Sequence, residues 1–425
     1  MDRDHLNHRI PIMSATMGET RPVIRSDLEF LPVQKDGQAI ILIRDPLGLV
    51  KEGQAVKPHL YEFMTLLDGA HSLRDLQMEL MRRKGGILIT LDEVERIVSN
   101  LEADYMLDSE KFQAARRQIV ETFSAEQVRA CSHCGRSYPK DPAELHNWLN
   151  QILETSSSDV AVPSNVIALV APHLDLAAGA GVYATAYRML RHNKPSRVVI
   201  MGTGHQVRDG LFCLTKKDFE TPLGITLNDT QLTGQLQQAG GGMIAADDFA
   251  HKTEHAIEFQ LIFLQHLFAE RSFTVVPILC GSFLTGLPEY SRQAFLKRAG
   301  SFLKVLKDLI QDPGHQTLFV ASVDFSHIGP KFGHTYAADF LEGQAQAHDQ
   351  ALLKYLCDLD GEGFWQESAR IEDRYNVCGF STQATLLDIL PSCRGRILEY
   401  RLQHEPATQS AVGIAAAMFT AADQT

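Results

Sequence analysis

Across its 425 residues the chain has no apolar run of the roughly eighteen residues a helix needs to cross a bilayer, so no membrane partner is expected. It has no block of Lys and Arg, and its formal net charge of -12 repels a phosphate backbone, so nucleic acid is not an expected partner. The opening Met1-Asp2-Arg3-Asp4-His5 has no apolar signal core, which argues against export by that route. Cysteine is sparse: seven residues, an odd number at scattered positions, fit reduced thiols in a cytoplasmic protein and not a disulfide framework. There is also no internal repeat and no low-complexity tract.

What remains is an ordinary globular composition, 44% hydrophobic and 22% charged, in a chain long enough for two or three domains. Residues 1–24 are polar and non-periodic and read as a loose tail. Apolar runs at 28–33 and 39–43 flank Lys35-Asp36-Gly37, a hairpin turn in which Gly supplies the positive φ. From Pro58 the period becomes helical, giving expected helices over 59–67, 73–83 and 92–101, with Ser72 and Thr90 as N-caps of the last two. Residues 25–110 therefore form a small winged-helix-like module. A polar helical segment covering 111–125 serves as linker.

From 126 to 422 strand-like runs alternate with helical stretches, the signature of an α/β domain with a mostly parallel or mixed sheet. Expected strands lie at 166–170, 198–201, 211–214, 273–278, 318–321 and 396–402. Expected helices lie at 178–191, 230–239, 255–268, 291–309 and 335–358.

Three of the strand-like runs are followed closely by a histidine or an aspartate. They lead to His173 after Ala171-Pro172, to His205 after Gly202-Thr203-Gly204, and to Asp324 and His327 in Ser322-Val323-Asp324-Phe325-Ser326-His327. In an open α/β sheet the carboxyl ends of strands share one edge, where ligands gather. Together with Cys378 in Val377-Cys378-Gly379 these four residues would, if they meet in space, form one metal site, because imidazoles with a thiolate or carboxylate bind a transition metal with positions left open. Asp324 and His327, three apart, are expected on one helical turn as general base or outer support for the ligands. Glu254, His255 and Glu258 open a helix and are read as pocket residues, with helix-start acids as the competing explanation.

Cys131-Ser132-His133-Cys134 is a lone CxxC. No second pair completes a four-cysteine zinc site, so both are expected as reduced thiols. Cys213, Cys280, Cys357 and Cys393 belong to no motif.

The small module resembles the PqqD-like peptide-chaperone family through Phe63-Met64-Thr65-Leu66-Leu67-Asp68-Gly69, Ser72-Leu73-Arg74-Asp75-Leu76 and the segment 98–107. The larger domain resembles the Memo family, known in prokaryotes as AmmeMemoRadiSam system protein B. The motifs run in order: Cys131 to Pro139, Ala171-Pro172-His173, Gly202-Thr203-Gly204-His205, Glu254-His255-Ala256-Ile257-Glu258, Ser322 to His327, Cys378-Gly379 and Ser410-Ala411-Val412-Gly413. That resemblance implies a fold similar to class III extradiol dioxygenases, with a two-His, one-Cys triad at His173, His205 and Cys378. The CxxC and Asp175 depart from the family pattern, and Asp175 adds a carboxylate near a ligand.

The resemblance implies ferrous iron or copper, a possible non-haem oxidoreductase, and a radical SAM enzyme with its companion protein as partners. The alternative is a non-catalytic peptide- or metal-holding accessory of such a system, with a peptide bound to the small module by strand addition.

Overall fold

A computed structural model describes residues 20–422 except 36–37, 157–159, 311 and 313. The chain divides into two compact units between Phe123 and Ser124. The first holds β1 (Glu29–Lys35), β2 (Gln38–Arg44), β3 (Ala55–Val56), α1 (Pro58–Met64), α2 (Leu73–Arg83), α3 (Leu91–Ala103) and most of α4 (Glu110–Ala125). β1 and β2 pair antiparallel, and β3 adds to β2. Asp36 and Gly37 of the expected hairpin turn lie outside the described residues.

Ser72 and Thr90 each close a capping box, with Asp75 and Glu93 returning the hydrogen bond. α1 stops at Met64, short of the expected Leu67. Residues 20–24 are not loose: Leu73 donates to the Thr20 carbonyl, and the Ile24 amide donates to Leu67. Buried Arg25 pairs with Asp27 and Asp45 and stacks on the Phe112 ring, 4.1 Å from its centroid.

The second unit runs β4 (Val128–Arg129), α5 (Pro142–Glu154), β5 (Val166–Ala171), α6 (Ala180–Arg188), β6 (Arg197–Thr203), β7 (Phe212–Leu214), β8 (Asp218–Thr221) and β9 (Gly224–Thr226). It continues with α7 (Thr230–Gly240), α8 (His255–Leu267), β10 (Thr274–Cys280), α9 (Phe283–Gly286), α10 (Arg292–Ile310), β11 (Thr317–Ser322) and β12 (His327–Ile328). It closes with α11 (Glu342–Cys357), α12 (Gly361–Ile371), α13 (Phe380–Ile389), β13 (Cys393–Glu405) and β14 (Ser410–Ala421).

Its main sheet has the order β12-β14-β5-β11-β6-β10-β7, with β13 added to β14. β5, β11, β6 and β10 are parallel neighbours, and β14 and β7 flank them antiparallel. The parallel strands are apolar almost throughout because helices cover both faces. Two apolar clusters result, one containing Val199, Val276 and Phe319 and the other Leu169, Ile200 and Val320. Successive residues of one strand thus feed opposite layers, as the pleat requires.

The helix expected over 335–358 begins only at Glu342; 335–341 hold a single short 3-10 turn. The expected strand 396–402 is the middle of a thirteen-residue strand, β13, whose partner β14 has no counterpart among the expected strands. Among the described residues no helix is long and apolar enough to cross a membrane.

Candidate metal centre

Ala171, Ser322 and Gly202 form one row across β5, β11 and β6. Two residues beyond that row on β5 and β11, and three beyond it on β6, stand His173, Asp324 and His205. Parallel register therefore delivers all three to the same carboxyl edge.

Two glycines permit the remaining approaches. A Cβ at Gly202 would lie 2.8 Å from the Ala256 Cβ, so its absence lets the start of α8 rest on β6. A Cβ at Gly379 would lie 2.5 Å from the Val323 Cβ, so glycine lets the turn before α13 carry Cys378 against the end of β11.

One donor atom each from His173, His205 and Cys378 lies within 4.8 Å of the others. Cys378 Sγ is 3.5 Å from His173 Nε2. The two imidazoles meet edge to face with centroids 5.0 Å apart. Each ring is held through its other nitrogen: His173 Nδ1 donates to the Ser322 carbonyl at 3.1 Å, and His205 Nδ1 faces Glu254 at 3.0 Å. That leaves each Nε2 as the nitrogen available to the centre, the arrangement expected of metal-binding imidazoles once their protons are displaced.

The donor set fits a metal. Bonds of roughly 2.3 Å to sulfur and 2.0–2.1 Å to nitrogen at angles from square to tetrahedral put S and N about 3.1–3.6 Å apart, which brackets the 3.5 Å observed.

Electrostatics agree. Burial pushes the Cys378 thiol up, but the charge and hydrogen bond of His173 and the hydrogen bond of His205 outweigh it and bring the thiol down to about 7. Burial holds His173 below its ordinary value, while His205 is raised well above it, because Glu254 overcomes desolvation. The His205 side chain is 38% exposed, so water screens part of that effect. Buried Glu254 is held well below the usual carboxylate range: burial opposes ionisation, but His205 and His255 outweigh it.

Comparison with known proteins places the chain in a family. A family model described as Memo-like protein matches residues 129–418. A MEMO1 family protein of Aquifex aeolicus is 30% identical over 400 residues, covering 93% of this chain and 100% of that protein. One from Thermus thermophilus is 28% identical, covering 80% of this chain and 97% of that protein. The memo-1 homolog of Caenorhabditis elegans is 28% identical over 49% of this chain and 55% of its own length.

The chain belongs to the Memo family.

Around the triad of this Memo-family chain the remaining residues fall into two groups. Asp324, His327, Glu254 and His255 surround it. Asp324 Oδ1 accepts from the His173 amide at 3.0 Å, and Oδ2 lies 3.5 Å from His173 Nε2. Burial raises its pKa, against the opposing charge of His327. His327 opens β12 and its Nδ1 donates to the Phe325 carbonyl at 2.9 Å. The expected helical turn joining Asp324 to His327 is absent. Residues 323–326 are extended and irregular, because Phe325 and Ser326 bond to Gly413 of β14 instead. His255 stacks on His205 at 5.1 Å and shares Glu254 with it.

Glu258 and Asp175 lie apart. Glu258, one turn after Glu254, is fully buried in an ion pair with Arg129 and also accepts from Tyr138 and the amides of Ser132 and His133. Asp175 is exposed and accepts from the Ala177 and Ala178 amides, which makes it a turn residue. Cys131 and Cys134 are joined in a disulfide, which corrects the expectation of reduced thiols.

Three supporting residues escaped sequence reading. Gln260 donates to the Pro172 carbonyl and to Ser322 Oγ, fixing the turn before His173. As a polar residue on the buried run of α8 it did leave a signal. Thr203 donates to the Cys378 carbonyl at 3.3 Å, and Arg129 reaches Glu258 across 129 positions, separations that no local pattern reveals.

Proposed function

We propose that this Memo-family chain holds a redox metal, iron or copper, on His173, His205 and Cys378, and works as a metal-dependent oxidoreductase. The observation that carries the reading is the convergence of two oriented Nε2 atoms and one thiol of lowered pKa at a sheet edge. Mixed imidazole and thiolate donors suit iron and copper, and three protein ligands leave positions for substrate. A bound metal would supply electron transfer and polarisation of a substrate oxygen. Asp324 and His327 stand beside the triad, where one can accept a proton and the other orient it.

The extradiol-dioxygenase resemblance supports oxygen-linked chemistry on this scaffold. Ordinary catechol cleavage is disfavoured, because an oxidisable thiolate replaces the carboxylate ligand. Anaerobic purification with elemental analysis, followed by addition of oxygen, tests the reading. Stoichiometric iron or copper with a spectral response to oxygen supports it; protein loaded only with zinc, or with no metal, overturns it.

A second reading rests on the small unit. Strand β1 pairs with β2 and, among the described residues, with no further strand, so its outer edge can accept a peptide by strand addition. On that reading, which the PqqD-like resemblance supports, the small unit recruits a peptide or a radical SAM enzyme and its companion protein. Capture of such an enzyme by the full chain, lost when the small unit is deleted, would support it.

A further inference from the structure

We propose that Cys131 and Cys134 form a redox-active disulfide, reduced by a dithiol of the thioredoxin class, and that Glu254 and the imidazoles it holds respond to its state. The exchange balances: a thiolate of the reductant attacks one sulfur and the other leaves as thiolate. The second thiol of the reductant then resolves the mixed disulfide, so two electrons and two protons pass to the pair. Only this coupling rests on the metal reading above; the exchange itself does not.

A structural role explains the bond poorly. It closes a ring across a sequence separation of three, and so short a loop constrains the unfolded chain least. The loop is already secured without it. The Ser132 and His133 amides donate to Glu258 at 3.0 and 2.9 Å, and Arg129 reaches both Glu258 and Ser132 Oγ. Both sulfur-bearing residues are part-exposed, as are the unpaired Cys357, Cys378 and Cys393, while Cys213 and Cys280 are buried. Access is what exchange requires.

The route to the triad is short and continuous. His133, between the two cysteines, has Nε2 3.0 Å from the Thr253 carbonyl, and its ring meets His255 at 5.6 Å. Arg129 donates to the carbonyls of His251 and Glu254. The residue so gripped, Glu254, holds His205 and His255 through its carboxylate. Reduction lets the 131–134 loop relax, and that relaxation reaches the carboxylate orienting His205. The reduced form therefore binds metal about tenfold more weakly, the lower end for losing an orienting partner. By linkage, bound metal shifts the thiol–disulfide equilibrium by the same factor, equivalent to about 30 mV for a two-electron couple.

The full chain, freed of metal, is equilibrated in stepped ratios of oxidised to reduced dithiothreitol, quenched in acid, alkylated and mapped by mass spectrometry. Cys131 and Cys134 should convert together and reversibly. Failure to convert as a pair anywhere in the range overturns the proposal.

Cobalt(II) is then titrated, with oxygen and dithiothreitol absent, into oxidised protein, reduced protein and C131S/C134S, which lacks the two thiols that reduction of the pair would add as competing cobalt ligands. C131S/C134S should follow the weaker affinity of the reduced form. Equal affinity in the oxidised protein and the double variant overturns the coupling. If cobalt binds no form while the pair still converts, the metal reading fails and the redox pair stands.

Discussion

Glu254 Oε2 lies 3.0 Å from both the backbone nitrogen and the Nδ1 of His205. Its other oxygen accepts from the amides of His255 and Ala256 at the start of α8. One carboxylate thus caps a helix, closes the turn after β6 and fixes which imidazole nitrogen is turned toward His173 and Cys378. The helix N-terminus adds its own preference for negative charge.

Replacing Glu254 by Gln should therefore weaken metal retention about 10–100-fold while leaving the fold largely intact. Glutamine keeps one acceptor oxygen but loses the charge that raises the His205 pKa. Competition against a chelator, with circular dichroism as control, measures the effect. Unchanged affinity would remove Glu254 from the site.

Ligand and outer residues should separate in the same assay. Cys378→Ala, His173→Ala and His205→Ala each remove a donor atom of the triad and should release metal more completely than His327→Ala. If His327→Ala strips the metal and Cys378→Ala retains it, the roles are reversed.

The triad was legible because histidines closely following buried strands are conspicuous, and because in a parallel sheet strand ends coincide in space. Cys378 was harder: it sits in a turn before α13, and its place among the direct ligands came from the family motif. Asp324 and His327 were placed beside the site, but through the wrong local structure. Spacing alone cannot reveal that β14 draws Phe325 and Ser326 into an extended path. β14 itself hid because Ser410-Ala411-Val412-Gly413 and the alanines after it carry little β-branched signal. Burial between β5 and β13 makes it a strand, and that is a property of its neighbours.

Metal binding should depend steeply on pH. The Cys378 thiol titrates near 7, and binding needs its thiolate. Below about pH 7 each metal displaces at least one proton, so apparent affinity should fall about tenfold per pH unit, and Cys378→Ser should flatten that slope. Without metal the sign is the same: a thiol depressed from 9.0 to about 7 stabilises the fold fully above pH 9 and loses that contribution as pH falls through 7. A pH-independent affinity between 5 and 7 would rule out thiolate ligation.

Asp349 should act in the opposite sense. Burial pushes its carboxyl up to about 7, despite bonds from Ser326 and Tyr400. The folded state favours the protonated form, so its contribution is present at low pH and lost as pH rises from about 4 through 7. Asp349→Asn stays neutral, so its stability relative to the parent should improve over that window by on the order of 4 kcal/mol at most. Urea unfolding at pH 5 and pH 8 measures this, and a constant difference would show that Asp349 is ionised throughout.

The division of the chain can be tested directly. The larger unit begins at Ser124 and contains every residue of the triad and every group around it, from Arg129 to Cys378. Its three apolar clusters begin at Tyr138, whereas the cluster of the small unit runs from Leu28 to Leu107. Each unit therefore has a core of its own, the condition for folding alone. A protein starting at Ser124 should stay soluble, unfold in one cooperative transition and keep its metal affinity within about threefold, well inside the tenfold set by losing an orienting partner. If metal is lost while the fold survives, the small unit contributes to the site. If the fold is lost as well, the two units share a core and the division at Phe123 is wrong.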